Sequence, residues 1–110
     1  MKLVLSIINT EDAHSVSTAL TNSGFQVTKL STTGGFLRTG NVTFLTGVED
    51  SKVKEVIKII KQKSNKRSKT VPALTSSVGD SSHLCSAIPF RVNVGGAIIF
   101  VLNVEDFQKI

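Results

Sequence analysis

The segment Thr32-Thr33-Gly34-Gly35-Phe36-Leu37-Arg38-Thr39-Gly40-Asn41 places three glycines, two large apolar residues and one arginine between two strand-like runs. Glycine lets backbone amides approach a ligand closely and accepts positive φ. Arg38 can hold a phosphate or a base edge through paired hydrogen bonds. Phe36 and Leu37 offer surfaces on which a flat ring can lie. The chemistry of this set is non-covalent capture of a ring and an anion. Thr28 and Asn41 add polar side chains for a base edge or a phosphate, and Gly35 and Gly47 add backbone groups. A glycine-rich hairpin whose Phe36 and Leu37 pack on a neighbouring subunit is the other reading of the same residues.

Residues suited to bond-making chemistry are few. His14 falls on a polar stretch with Glu11, Asp12 and Ser15, where a surface histidine is the plain expectation. His83 and Cys85 are two apart in a Ser-rich stretch, and a nucleophile pair needs rigid neighbours and a third, orienting group. The acidic pairs Glu11-Asp12 and Glu49-Asp50 fall where helices begin, so helix electrostatics explains them without a metal. Neither GxxxxGK[ST] nor GxGxxG occurs, and no helix pattern follows Gly34-Gly35. No catalytic residue, metal or cofactor is therefore expected.

The elements that must position the loop follow from periodicity. Leu3 to Asn9 is a run of Leu, Val and Ile and reads as a buried strand, with Thr10 capping a helix that carries Ala13, Val16 and Leu20. Gly24 suits that helix's C-terminal cap. Phe25 to Leu30 alternates and reads as a second strand, and Asn41 to Val48 as a third, with Phe44 in the core. Asp50 or Ser51 is expected to cap a second helix whose apolar residues Val53, Val56, Ile57 and Ile60 fall at i, i+3, i+4 and i+7. Residues 64 to about 90 lack periodicity and read as a long flexible loop, with a short strand near Val71 to Leu74. Phe90 to Val94 and Ala97 to Val104 read as strands, and Phe107 as the anchor of a short tail. The order is β-α-β twice with one long insertion, an α+β, ferredoxin-like arrangement of an antiparallel sheet backed by two helices. All 110 residues form one domain.

Composition limits the partners. The net charge of +5 comes from 13 Lys and Arg against 8 Asp and Glu, with the excess in Lys52 to Lys69. A solvated helix face is the plain reading of that run; attraction to nucleic acid or an anionic surface is the sharper one. Six Phe with no Tyr or Trp and no basic-aromatic run disfavour an RNA-recognition domain. The single Cys85 excludes an intramolecular disulfide, and no apolar run reaches membrane-spanning length, which fits a cytoplasmic protein without membrane insertion.

Thr28-Lys29-Leu30, Thr32-Thr33-Gly34-Gly35-Phe36-Leu37-Arg38, Gly40-Asn41, Gly47, Val94-Gly95-Gly96-Ala97 and Phe100 resemble the PII-like cyclic di-AMP receptors nearly end to end. The resemblance implies a homotrimer that binds cyclic di-AMP in clefts between subunits. It also implies loop rearrangement that signals to a protein partner, without catalysis. It implies ligand contacts from Thr28, Gly35, Phe36, Leu37, Asn41, Gly47 and Phe100, beside the Arg38 that the residues themselves suggest. The family commonly has Asn and Arg where this chain has Gly24 and Gln26, and a ligand-contacting Gln aligns with Lys109. A paralogue that takes another nucleotide, or none, is the alternative these three positions raise.

Overall fold

The computed structural model describes residues 1–30, 40–71 and 90–110. Strand β1 (Lys2–Asn9) enters helix α1 (Thr10–Asn22), followed by β2 (Thr28–Leu30) and β3 (Asn41–Val48). A 3-10 turn (Asp50–Lys52) leads into helix α2 (Val53–Lys63). Strands β4 (Arg67–Val71), β5 (Phe90–Val94) and β6 (Ala97–Asn103) complete the chain. The main sheet has the order β2-β3-β1-β6, with every neighbouring pair antiparallel. That is the order two split β-α-β units produce, each crossing over one intervening strand. β4 and β5 form a separate antiparallel ribbon, Arg67 opposite Val94 and Val71 opposite Phe90, inserted between α2 and β6.

Both helices cover one face of the sheet. Side chains alternate along a strand, so the even residues Val4, Ser6 and Ile8 of β1 face inward beside Phe44, Thr46 and Val48 of β3. Val16 and Leu20 of α1 and Val56 and Ile60 of α2 close the core over them, and all four are fully buried. Ala13, Val53 and Ile59 pack at its edge, so Ile59 rather than the expected Ile57 joins the stripe.

Local chemistry moves several expected boundaries. Asn9, not Thr10, caps α1: its Oδ1 accepts from the Glu11 amide at 2.8 Å, and Thr10 is already helical. The second helix begins without a side-chain cap, because a 3-10 turn precedes it and Lys52 stands at its N-cap. β2 spans only Thr28–Leu30, since the Phe25 amide turns back to the Leu20 carbonyl at 3.0 Å. Gly24 takes φ +91 just past α1, the left-handed position that favours glycine. α2 ends firmly, with the buried Ser64 hydroxyl donating to the Ile60 carbonyl and the Gly96 amide donating to the Ser64 carbonyl. β4 begins at Arg67, earlier than the short strand expected near Val71, and residues 72–74 lie outside the described residues.

An ion pair fastens the ribbon to α1. Arg67 donates from Nη2 to Asp12 Oδ1 at 2.8 Å and from Nη1 to Asp12 Oδ2 at 3.3 Å, and Nη1 also reaches the Asn65 carbonyl at 2.9 Å. Asp12 is only 6% exposed, and Arg67 is the cation that pairs with it. The hydrogen bonds to Asp12 raise the Arg67 pKa, which keeps the guanidinium charged at any working pH. Asp12→Asn keeps the shape and removes the charge. Because Arg67 is 44% exposed and solvent screens the pair, the expected result is a modest fall in the urea midpoint with an unchanged slope. An unchanged urea midpoint and slope would show the pair to be a spectator.

Candidate functional site

The helices leave the other sheet face open. The odd residues of β1, Leu3, Leu5 and Ile7, point there, opposite Gly47, Leu45 and Thr43 of β3 and Leu102, Phe100 and Ile98 of β6. Thr28 pairs with Leu45, which puts Thr28 on the same face. Four residues expected to hold a ligand, Thr28, Asn41, Gly47 and Phe100, therefore share one surface. Ile98, Phe100 and Leu102 are 56%, 52% and 45% exposed on a strand that is also the sheet's edge.

At one end of this face lies a cleft of about 710 Å³, the size class of small-molecule sites. Gln26, Thr28 and Gly47 line it together, as expected ligand residues, and Gly24 lies beside them. Leu3, Phe25, Leu45 and Phe107 supply its apolar walls, and Glu49 and Lys52 its charges. Phe107 is 63% exposed, so it stands at the cleft instead of anchoring the tail in the core. The Met1 ammonium lies 2.9 Å from Asp50, and that hydrogen bond chiefly holds the Asp50 carboxyl below the usual carboxylate range.

Gly47 stands apart from the turn glycines. It does not take positive φ, and a Cβ added there would meet only Met1 Cε, at 3.7 Å, an ordinary contact. The backbone of this chain does not require glycine at position 47. What the missing side chain leaves is open space in the cleft wall.

Asn41 sits elsewhere. It lines a second cleft of about 330 Å³ with Asn9, Lys66, Gly95, Gly96 and Ile98, at the opposite end of the same face. Gly47 lies six steps further along β3, about 20 Å at 3.3 Å per residue. Phe100 lies between the two ends, opposite Leu5. Lys109 is exposed in the tail and lines neither cleft. Gly35, Phe36, Leu37 and Arg38, as well as His83 and Cys85, lie outside the described residues.

Sequence reasoning misses the Leu3 and Leu45 walls, Asn9 and Lys66. The β1 strand, apolar on both parities apart from Ser6, is the signal for the Leu3 wall, because such a strand has two faces to cover. Among the described residues no three His, Cys, Asp or Glu side chains gather as a metal site, and no helix is long and apolar enough to cross a membrane.

An α+β domain with an antiparallel sheet, two helices on one face and a cleft of small-molecule size on the other is of the PII-like, ferredoxin-like class. Residues 1–110 match the family described as Cyclic-di-AMP receptor, and the chain belongs to that family. It is also similar to the crystal structure of a functionally unknown protein from Pediococcus pentosaceus ATCC 25745. The two share 38% identity over 99% of this chain and 96% of that one, with a TM-score of 0.74.

Proposed function

We propose that this protein is a non-enzymatic signalling receptor that binds cyclic di-AMP in clefts between the subunits of a homotrimer and relays binding to a protein partner through its loops. The observation that carries this reading is the division of one residue set between two ends of one sheet face. A site of about 300–1,000 Å³ is roughly 8–12 Å across if compact. Gly47 and Asn41 are about 20 Å apart, so such a site cannot use both from one chain. It can use both when the Gln26, Thr28 and Gly47 end of one subunit meets the Asn41 end of the next. The exposed apolar strip on β6 supports the same assembly: a long apolar edge strand needs covering, and closed rotational symmetry covers every copy alike.

The parts then have distinct roles. Thr28 and Asn41 recognise polar edges of the ligand, Gly47 leaves room for a ring, and Phe100 supplies an aromatic wall. Phe36, Leu37 and the Gly35 backbone hold an adenine, and Arg38 adds a cation. The ribbon, whose base lies beside Asn41, is positioned to pass on the occupied state. Thermal unfolding with cyclic di-AMP, cyclic di-GMP, ATP and ADP tests the ligand. A ligand at 100 times its Kd adds about 2.7 kcal/mol of apparent stability. The account expects a selective shift with cyclic di-AMP; equal shifts with all four, or none, contradict it.

Gln26 favours one competing reading, a paralogue tuned to another nucleotide. It lies in the cleft without a charge, and the nearby Glu49 is acidic. Gln26→Arg places a guanidinium in the cleft and is expected to tighten cyclic di-AMP binding about tenfold or more. Unchanged affinity by calorimetry would show that charge at position 26 is not what limits binding.

A further inference from the structure

The Asn41 cleft is lined by a cation that the proposed roles leave unassigned. Of the described residues lining it, Lys66 alone is charged. Lys66 has no ion-pair partner among the described residues. Its backbone is held on both sides. The Asn65 carbonyl accepts from Arg67 at 2.9 Å, Arg67 is tied to Asp12, and the Ser64 carbonyl accepts from Gly96. Gly95 and Gly96 both take positive φ, at +88 and +84. At Gly95 a Cβ would clash with the Asn65 carbonyl oxygen, so the backbone there is pressed against the link that carries Lys66. At Gly96 a Cβ would meet the stem of Lys66 at 3.9 Å, so these glycines keep the lysine close to the cleft floor.

Among the described residues the opposite half-site has no side-chain cation without a nearby acid. There Lys52 lies 3.8 Å from Glu55, Glu49 adds a negative charge to the lining, and Gln26 is neutral. A cyclic dinucleotide carries two phosphodiesters, each with one negative charge. A compact, rotatable ammonium can meet such a charge without the fixed fork geometry of arginine.

We infer that Lys66 neutralises a ligand phosphodiester in the Asn41 half of the intersubunit cleft, making the base of the ribbon part of the binding site. The inference rests on the receptor reading above and assigns to it a residue from the inserted segment. Binding then presses directly on the link between α2 and the ribbon.

The test is calorimetric titration of the full chain with cyclic di-AMP at about 0.05 M and 0.5 M salt, where screening lengths differ several-fold. Lys66→Gln is expected to weaken binding about tenfold to a hundredfold and to flatten its salt dependence. Lys66→Arg keeps most of the affinity. Lys58→Gln, on the exposed side of α2, binds as the wild type does. Wild-type affinity and salt slope in Lys66→Gln would overturn the inference alone. Equal losses in Lys66→Gln and Lys58→Gln would also overturn it, by marking a general field instead of a contact. A wild-type chain that does not bind would overturn the receptor reading, and the inference with it.

Discussion

Mixed trimers assembled from Asn41→Trp chains and Gly47→Trp chains will bind cyclic di-AMP although neither chain binds it alone. Each substitution fills one end of the open sheet face. In a trimer of either chain alone, every cleft has one blocked half, and the loss of affinity is expected to exceed about a hundredfold, roughly 2.7 kcal/mol. Both positions tolerate the new ring as far as the subunit is concerned. Asn41 is exposed, and Gly47 has neither positive φ nor a close neighbour. In a random equal mixture, an intact cleft needs an Asn41→Trp chain on its Gly47 side and a Gly47→Trp chain on its Asn41 side. That arrangement arises at about one cleft in four under closed threefold symmetry. Titration of the co-refolded mixture should therefore show about a quarter of the wild-type sites at wild-type affinity. A mixture that forms mixed trimers without recovering binding would place both residues in one chain's cleft and end the shared-site account.

Phe100→Asp will yield a folded monomer that has lost ligand binding. Phe100 is 52% exposed in the single chain and lies on the face turned away from the helices, so the core of Val4, Ile8, Val16, Leu20, Val56 and Ile60 does not depend on it. Its neighbours Ile98 and Leu102 extend the same apolar strip. Covering that strip with a second copy would desolvate the new carboxylate with no cation opposite it among the described β1 and β3 partners, at an effective cost of several kcal/mol. Sedimentation velocity reads the assembly, and far-ultraviolet circular dichroism confirms the fold. A Phe100→Asp chain that remains trimeric would mean that another surface joins the subunits.

Much of this architecture is legible in the residues, and what escapes has identifiable causes. The stripe Val53, Val56 and Ile60 reads as a helix because nothing competes with its 3.6-residue period, and the β1 and β3 runs read as strands for the same reason of local consistency. The start of α1 is misplaced by one residue because Asn9 and Thr10 are both good caps, and the choice rests on which side chain reaches the Glu11 amide. The span of β2 is overestimated because the alternation at Phe25 and Val27 reflects packing against the helices, not pairing with a neighbouring strand. The ribbon is hidden because Arg67-Ser68-Lys69-Thr70-Val71 has little apolar signal, and its closest pairing partner lies 19 residues on, Phe90 against Val71.

The candidate site divides in the same way. Thr28, Asn41, Gly47 and Phe100 can be picked out by type and by resemblance, but that they lie on one face, at two ends of it, depends on sheet register, a long-range property. Lys66 is invisible from local sequence because it sits in a run of lysines, most of which face solvent. Only the closure of Gly95 and Gly96 against the α2 link brings it beside Asn41.

The central claim is that cyclic di-AMP occupies a cleft built from two subunits. Calorimetric titration of the purified wild-type protein with cyclic di-AMP, with its mass in solution measured before and after, tests it most directly. The account predicts a trimer that takes up about one ligand per chain, or three per assembly. No heat up to high micromolar ligand, or full binding by a monomer, would contradict it.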